Sequence, residues 1–206
     1  MFKTLSGDGN SEVVVKKSKF IGFSKNVITE EECKEFIKGL RKTYYDARHV
    51  CYAYVLKDGT VKSNDDGEPA GTGGMPILET IKKNKLTDTI VVVVRYFGGT
   101  LLGTSLLYRS YASCAELVIK NSKICKMIKS LIYSFEITYE NYAKFENFAK
   151  NNNIRILYKE FGKNAKIQIG IPKEKIKDVL DGFKLKFNIE LDTLEFSEIY
   201  LKYDED

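Results

Sequence analysis

Residues 89–121, TIVVVVRYFGGTLLGTSLLYRSYASCAELVIKN, constrain the fold of this chain more than any other stretch. Residues 90–94 are five β-branched side chains in a row, which predicts a strand buried on both faces. Gly98, Gly99 and Gly103 follow, and they let the backbone turn tightly and stay uncovered. Thr104 or Ser105 is then placed to cap a helix running to about Lys120. A strand, glycine loop and helix in this order offer free backbone N–H groups and the positive end of a helix dipole to an anion. Arg95 and Arg109 add two guanidinium groups, so phosphate is the expected ligand. The loop lacks the Gly-Lys-Ser/Thr of a Walker motif and the GxGxxG of a dinucleotide fingerprint. The competing reading is a tight turn whose glycines serve only close packing, and the sequence leaves both open.

The rest of the first part reads as a mixed α/β arrangement. Residues 11–15 and 18–23 alternate as two strands about a Lys16-Lys17 turn. Thr29 with Glu32 three residues later is a capping box, and Cys33, Phe36, Ile37 and Leu40 form the apolar stripe of the helix it starts. Residues 49–56 alternate as a strand, Asp58-Gly59 marks a hairpin turn, and residues 61–64 return. A short helix over 77–84 leads into the buried strand.

Between that hairpin and helix lies DDGEPAGTGGMP, residues 65–76. Asp65, Asp66 and Glu68 are three carboxylates within four residues. They are candidate ligands for Mg²⁺ beside a phosphate, and Asp66 and Glu68 are candidate general acids or bases. A solvated turn favours the same residue types. His49, the single histidine, stands two residues from Cys51 on one strand face. Neighbours at that spacing lie roughly 7 Å apart at the backbone, too far for a direct nucleophile–base pair. His49 therefore reads as a polar anchor with a secondary claim as a catalytic residue, and Cys51 as core. Tyr96 and Phe97 beside Arg95 are either core or base-stacking groups.

Residues 129–206 carry a second pattern: a strand over 131–138, a helix over 141–152, a hairpin over 154–171, a helix starting at Pro172, and a strand over 189–202. The order βαββαβ is that of a ferredoxin-like split unit. The basic residues at 126–129 are the expected boundary, giving domains 1–128 and 129–206. Residues 1–128 hold 20 Lys/Arg against 14 Asp/Glu, whereas residues 129–206 hold 13 against 14. The positive excess lies wholly in the first part, which favours an anionic partner there or reflects ordinary solubility charge.

No run of about 18 apolar residues is present, and the N-terminus has no apolar signal core. The expectation is a cytoplasmic protein without membrane partners. Four scattered cysteines in apolar contexts read as reduced core thiols. One histidine and scattered cysteines argue against a zinc site, which leaves Asp65, Asp66 and Glu68 as the weak metal candidates; no cofactor is expected.

Taken together, DDGEPAGTGGMP (65–76) and VVVVRYFGGTLLGTSLLYRSY (91–111), with KSKFIGF (17–23) and DARHVCYAY (46–54), resemble the IMPACT/YigZ family in its bacterial two-domain type. The resemblance implies an α+β protein: a first domain like the second domain of ribosomal protein S5, and a ferredoxin-like second domain similar to late domains of elongation factor G. Both of those relatives bind RNA on the ribosome, and eukaryotic family members regulate translation. The chain departs from the usual pattern at Leu101, where the family has lysine, and at Ser105 and Leu106, where it has glycines. Gly103, Arg109 and Tyr111 match.

The leading expectation is a non-enzymatic protein that binds RNA or the ribosome. Arg95, Gly98, Gly99, Gly103, Thr104, Ser105 and Arg109 would meet phosphate. The alternatives are a Mg²⁺-dependent enzyme acting on a small phosphorylated or nucleotide substrate, and a module that binds a regulatory protein.

Overall fold

The computed structural model describes residues 1–189, 191 and 198–204. The chain forms two compact units, one over residues 2–126 and one over residues 127–203.

In the first unit a five-stranded sheet has the order β2-β3-β6-β4-β5: β2 Gly9–Val15, β3 Ser18–Asn26, β6 Thr89–Tyr96, β4 His49–Val55 and β5 Val61–Asn64. A short strand β1, Phe2–Leu5, precedes it. Neighbouring strands in the sheet run antiparallel, with β6 at the centre between β3 and β4. Seven of the eight β6 residues are buried because both faces are covered. Ile90, Val92 and Val94 pack with Cys33 and Ile37 of helix α1, Glu30–Thr43. Val91 and Val93 point the other way, into a core shared with helices α2, Gly74–Lys83, and α3, Thr104–Asn121. The period-2 alternation of a strand thus feeds two cores from one run of valines. Each fully buried Val or Ile contributes roughly 1.5–3 kcal/mol.

Local signals behave as their chemistry dictates. Lys16 and Lys17 have φ of 44° and 67°, the left-handed pair that a two-residue hairpin requires. Thr29 accepts from the Glu32 N–H at 3.2 Å, and Glu32 Oε2 accepts from the Ile28 N–H at 2.8 Å, one residue outside the expected box. All four cysteines are free and buried.

The second unit contains β7 Ile124–Ile137, α4 Tyr139–Asn151, β8 Arg155–Phe161, β9 Ala165–Pro172, a 3₁₀ turn Lys173–Lys175, α5 Ile176–Phe187 and β10 Glu198–Asp204. Its strands join as β7, β9 and β8 in that order, and β10 also pairs with β7. Phe145, Phe148, Phe183 and Phe187 meet edge to face or tilted across the two helices and anchor a core with Ile167, Ile169 and Ile171.

The two units divide between residues 126 and 127, within the expected stretch 126–129, and strand β7 runs through that point. Two expectations change here. Pro172 ends β9 rather than opening the helix, which starts at Ile176 after the 3₁₀ turn. The final strand begins at Glu198; the expected start at 189 falls partly on residues outside the described ones. Among the described residues no helix is long and apolar enough to cross a membrane.

Candidate anion site

The two glycine-rich loops of the first unit meet at the ends of β4 and β6. The first, residues 65–73, is folded around its own carboxylates. Asp65 accepts the backbone N–H groups of Gly71, Gly73 and Gly74 at 2.8–2.9 Å. Gly74 opens α2, so Asp65 caps that helix from nine residues upstream. Burial alone would raise the Asp65 carboxyl, but the three donated amides outweigh it and hold it below its ordinary value.

Asp66 sits in left-handed backbone at φ 46°. Its Oδ2 accepts from the Val50 N–H at 2.7 Å and its Oδ1 from Arg41 Nη2 at 2.5 Å. Its carbonyl oxygen accepts from His49 Nδ1 at 2.7 Å. Since a carbonyl only accepts, the proton of neutral His49 lies on Nδ1, and Nε2 is left with its lone pair. Cys51 Sγ donates to the neighbouring Asp65 carbonyl at 3.0 Å. Burial pushes the Cys51 thiol up, which suits a core thiol and not a nucleophile.

Glu68 turns inward. It is 8% exposed, and its Oε1 accepts from Arg95 Nη1 at 2.6 Å and from the Tyr111 hydroxyl at 2.8 Å. Its Oε2 lies 3.7 Å from His49 Nε2, an ion-pair distance too long for a hydrogen bond. Burial also drives the Tyr111 phenol up, so it stays a neutral donor. Asp65, Asp66 and Glu68 therefore serve three different sets of partners. Among the described residues no group of three or more acidic, His or Cys side chains converges on a place for a metal ion.

Arg95 is where the expectation of an outward guanidinium fails. It is 5% exposed, pairs with Glu68, reaches Ser18 Oγ at 3.4 Å and stacks near Phe20 and Phe97. A β-strand residue at an interior register position points into the core, and the loop supplies the counter-charge that makes its burial tolerable. Its Nε has no hydrogen-bond acceptor among the described residues.

The second loop, residues 97–103, is open. Gly98 is required by close approach: a Cβ there would lie 2.1 Å from the Lys17 carbonyl carbon, and its N–H donates to Ser18 Oγ at 3.1 Å. Gly99 and Gly103 have φ of 82° and 74° with open space where a side chain would stand. Gly103 is the N-cap of α3, and no side chain caps this end. Neither Thr104 nor Ser105 plays the expected capping role, because both already belong to the first helical turn. Both are exposed, as is Arg109 one turn further on.

Between the loops lies a cavity of about 550 Å³. Arg48, His49, Glu68, Arg95 and Thr104 give it polar lining, and Pro69, Phe97, Leu101, Leu102 and Leu107 give it apolar lining. Arg48 is exposed, and its guanidinium has no ion pair or hydrogen bond among the described residues. Sequence reasoning missed Arg48. It lies next to His49 at the start of β4, but nothing local marks it, since its importance comes from a chain reversal that brings residue 95 alongside.

Residues 16–119 match the family described as the Impact N-terminal domain. The chain is similar to "IMPACT family member YvyE" of Bacillus subtilis (strain 168), 35% identical over 80% of this chain and 77% of that protein. It is also similar to "IMPACT family member YigZ" of Escherichia coli (strain K12), 27% identical over 80% of this chain and 82% of that one. A solved structure described as that of a hypothetical protein shares the fold at a TM-score of 0.61, with 24% identity, covering 94% of this chain and 97% of its own.

Proposed function

This chain belongs to the IMPACT family, and on that premise we propose that it is a non-enzymatic binding protein that engages RNA phosphate, on the ribosome or free, in the regulation of translation. We read the first unit as S5 domain 2-like and the second as ferredoxin-like, the two domain types that the family resemblance implies. The observation that carries the proposal is the uncapped start of α3, where Gly103, Thr104 and Ser105 face solvent with Arg109 exposed on the same helix. The amides of a first helical turn have no intrahelical acceptor, and the helix dipole adds positive potential there. The charge balance of residues 1–128 supports an anionic partner for this unit.

Filter binding of a structured RNA at about 50 and about 200 mM salt tests it. Retention at low salt that falls steeply at high salt is expected, because phosphate contacts release counterions. No retention at low salt overturns the reading. The meeting of His49 and Glu68 at the cavity favours one other reading, an enzyme acting on a small phosphorylated substrate. Release of inorganic phosphate from a panel of nucleotides would establish it, and its absence with and without Mg²⁺ would retire it.

A further inference from the structure

We infer that the cavity between the two loops receives a phosphomonoester attached to a nucleoside, either the phosphorylated end of an RNA strand or a free nucleoside monophosphate. The inference rests on the reading that the α3 end attracts phosphate, and it specifies which phosphate.

Three observations lead there. The first is size: about 550 Å³ lies within the range of roughly 300–1,000 Å³ typical of pockets that enclose one small molecule. A strand passing through needs a tracking groove and successive aromatic platforms. Here Phe97, 48% exposed, is the one aromatic side chain among the lining residues.

The second is charge. Arg95 and Glu68 neutralise each other at 2.6 Å, leaving the Arg48 guanidinium and the amide end of α3 as uncompensated positive groups on the same cavity. Arg95 adds an N–H without an acceptor, on a side chain more than nine-tenths buried that lines the cavity. A phosphomonoester carries about −1.5 to −2 at pH 7, whereas an internal phosphodiester carries one charge, so this lining favours the monoester. His49 is held by its Nδ1 hydrogen bond and presents Nε2 beside the unbonded Oε2 of Glu68. Both are acceptors, so they suit the hydroxyl donors of a ribose and not the phosphate itself.

The third is the mixed chemistry of the lining. Phe97, Leu101, Leu102, Pro69 and Leu107 line the same cavity as the charged residues, and the Phe97 ring lies 5.9 Å from the Arg95 guanidinium. Phe97 and Leu101 are both exposed there, at 48% and 85%. A ligand with an anionic head and a flat, largely apolar body satisfies both kinds of lining.

The test uses the full chain and one short RNA prepared in three forms: 5′-phosphorylated, 3′-phosphorylated, and hydroxyl at both ends. Competition by nucleoside monophosphates and by the matching nucleosides is measured in parallel, together with their effect on Tm. One phosphorylated form is expected to bind at least tenfold tighter than the hydroxyl-ended RNA, with monophosphates but not nucleosides competing. An RNA one nucleotide longer with hydroxyl ends controls for added charge. Arg48→Ala should abolish the preference. Leu101→Glu places a carboxylate at an exposed rim position, leaves folding untouched, and should weaken the phosphorylated form selectively. If all three RNAs bind within twofold, the inference fails while the RNA reading stands. If no RNA is retained but monophosphates raise Tm, the cavity serves free nucleotides and the RNA reading falls instead. If neither binds, both are lost.

Discussion

The two glycine-rich loops of the first unit use one residue type for opposite ends. In residues 65–73 the glycines bring backbone N–H groups inward, where Asp65 consumes three of them. In residues 97–103 Gly98 donates to Ser18 Oγ, Gly99 and Gly103 stand in open space, and α3 starts without a side-chain cap. A loop that satisfies its own amides is a structural clasp, and a loop that leaves them open is a site. Glycine content alone does not separate the two; the presence of an internal carboxylate does.

The comparison breaks most visibly at Glu68, the residue that ties the loops together. Glu68→Ala strands Arg95 in the core and should cost about 3–5 kcal/mol, read as a lowered urea midpoint. Should the loss stay under about 1 kcal/mol, the pair is not what joins the loops.

Asp65→Asn comes next, at about 2–3 kcal/mol, since partly buried amides lose a charged acceptor. The effect depends on pH with a definite sign. The Asp65 carboxyl lies below its ordinary value when folded, so its contribution is complete above the unfolded value of about 3.9. That contribution drains as the pH falls through the lower folded value. The wild-type chain should therefore lose stability on the acid side more steeply than Asp65→Asn, and parallel acid limbs in urea titrations would remove Asp65 from the clasp.

The open loop should respond more weakly, and for two different reasons. Gly98→Ala forces a methyl against the Lys17 backbone and should cost about 1–3 kcal/mol. Gly103→Ala meets open space and carries only the torsional penalty of φ 74° and ψ 157°, a region nearly confined to glycine, about 1–3 kcal/mol. Unchanged stability in both variants would mean that the loop requires glycine at neither position.

The smallest stability effect is expected at Leu101, the position where the family pattern has lysine. Leu101→Lys should change stability by less than about 0.5 kcal/mol. It should nonetheless strengthen RNA binding and steepen the salt dependence by about one phosphate contact. Unchanged binding would place the RNA path elsewhere on the unit.

Several elements were legible before any coordinates. Residues 90–94 read as a doubly covered strand and are one, because five β-branched residues have no polar face to offer water. Thr29 and the Lys16-Lys17 turn were readable because capping and left-handed turns depend on a few consecutive residues. The second unit's order of elements was readable for the same reason, and the two units divide between residues 126 and 127, among the basic residues. Lys126 and Lys129 are both half-buried within a continuous strand, which their composition does not reveal.

The chain by itself determined which segments become strands and helices and where the backbone could turn, since these follow from the chemistry of neighbouring residues. Tertiary structure decided the fate of the charges. Whether Arg95 reaches outward or inward depends on Glu68, 27 residues away along the chain. Arg48 acquires its place on the cavity from strand pairing between β4 and β6. Electrostatic roles are set by distance in space and by exclusion of water, and neither is written in the local order of residues.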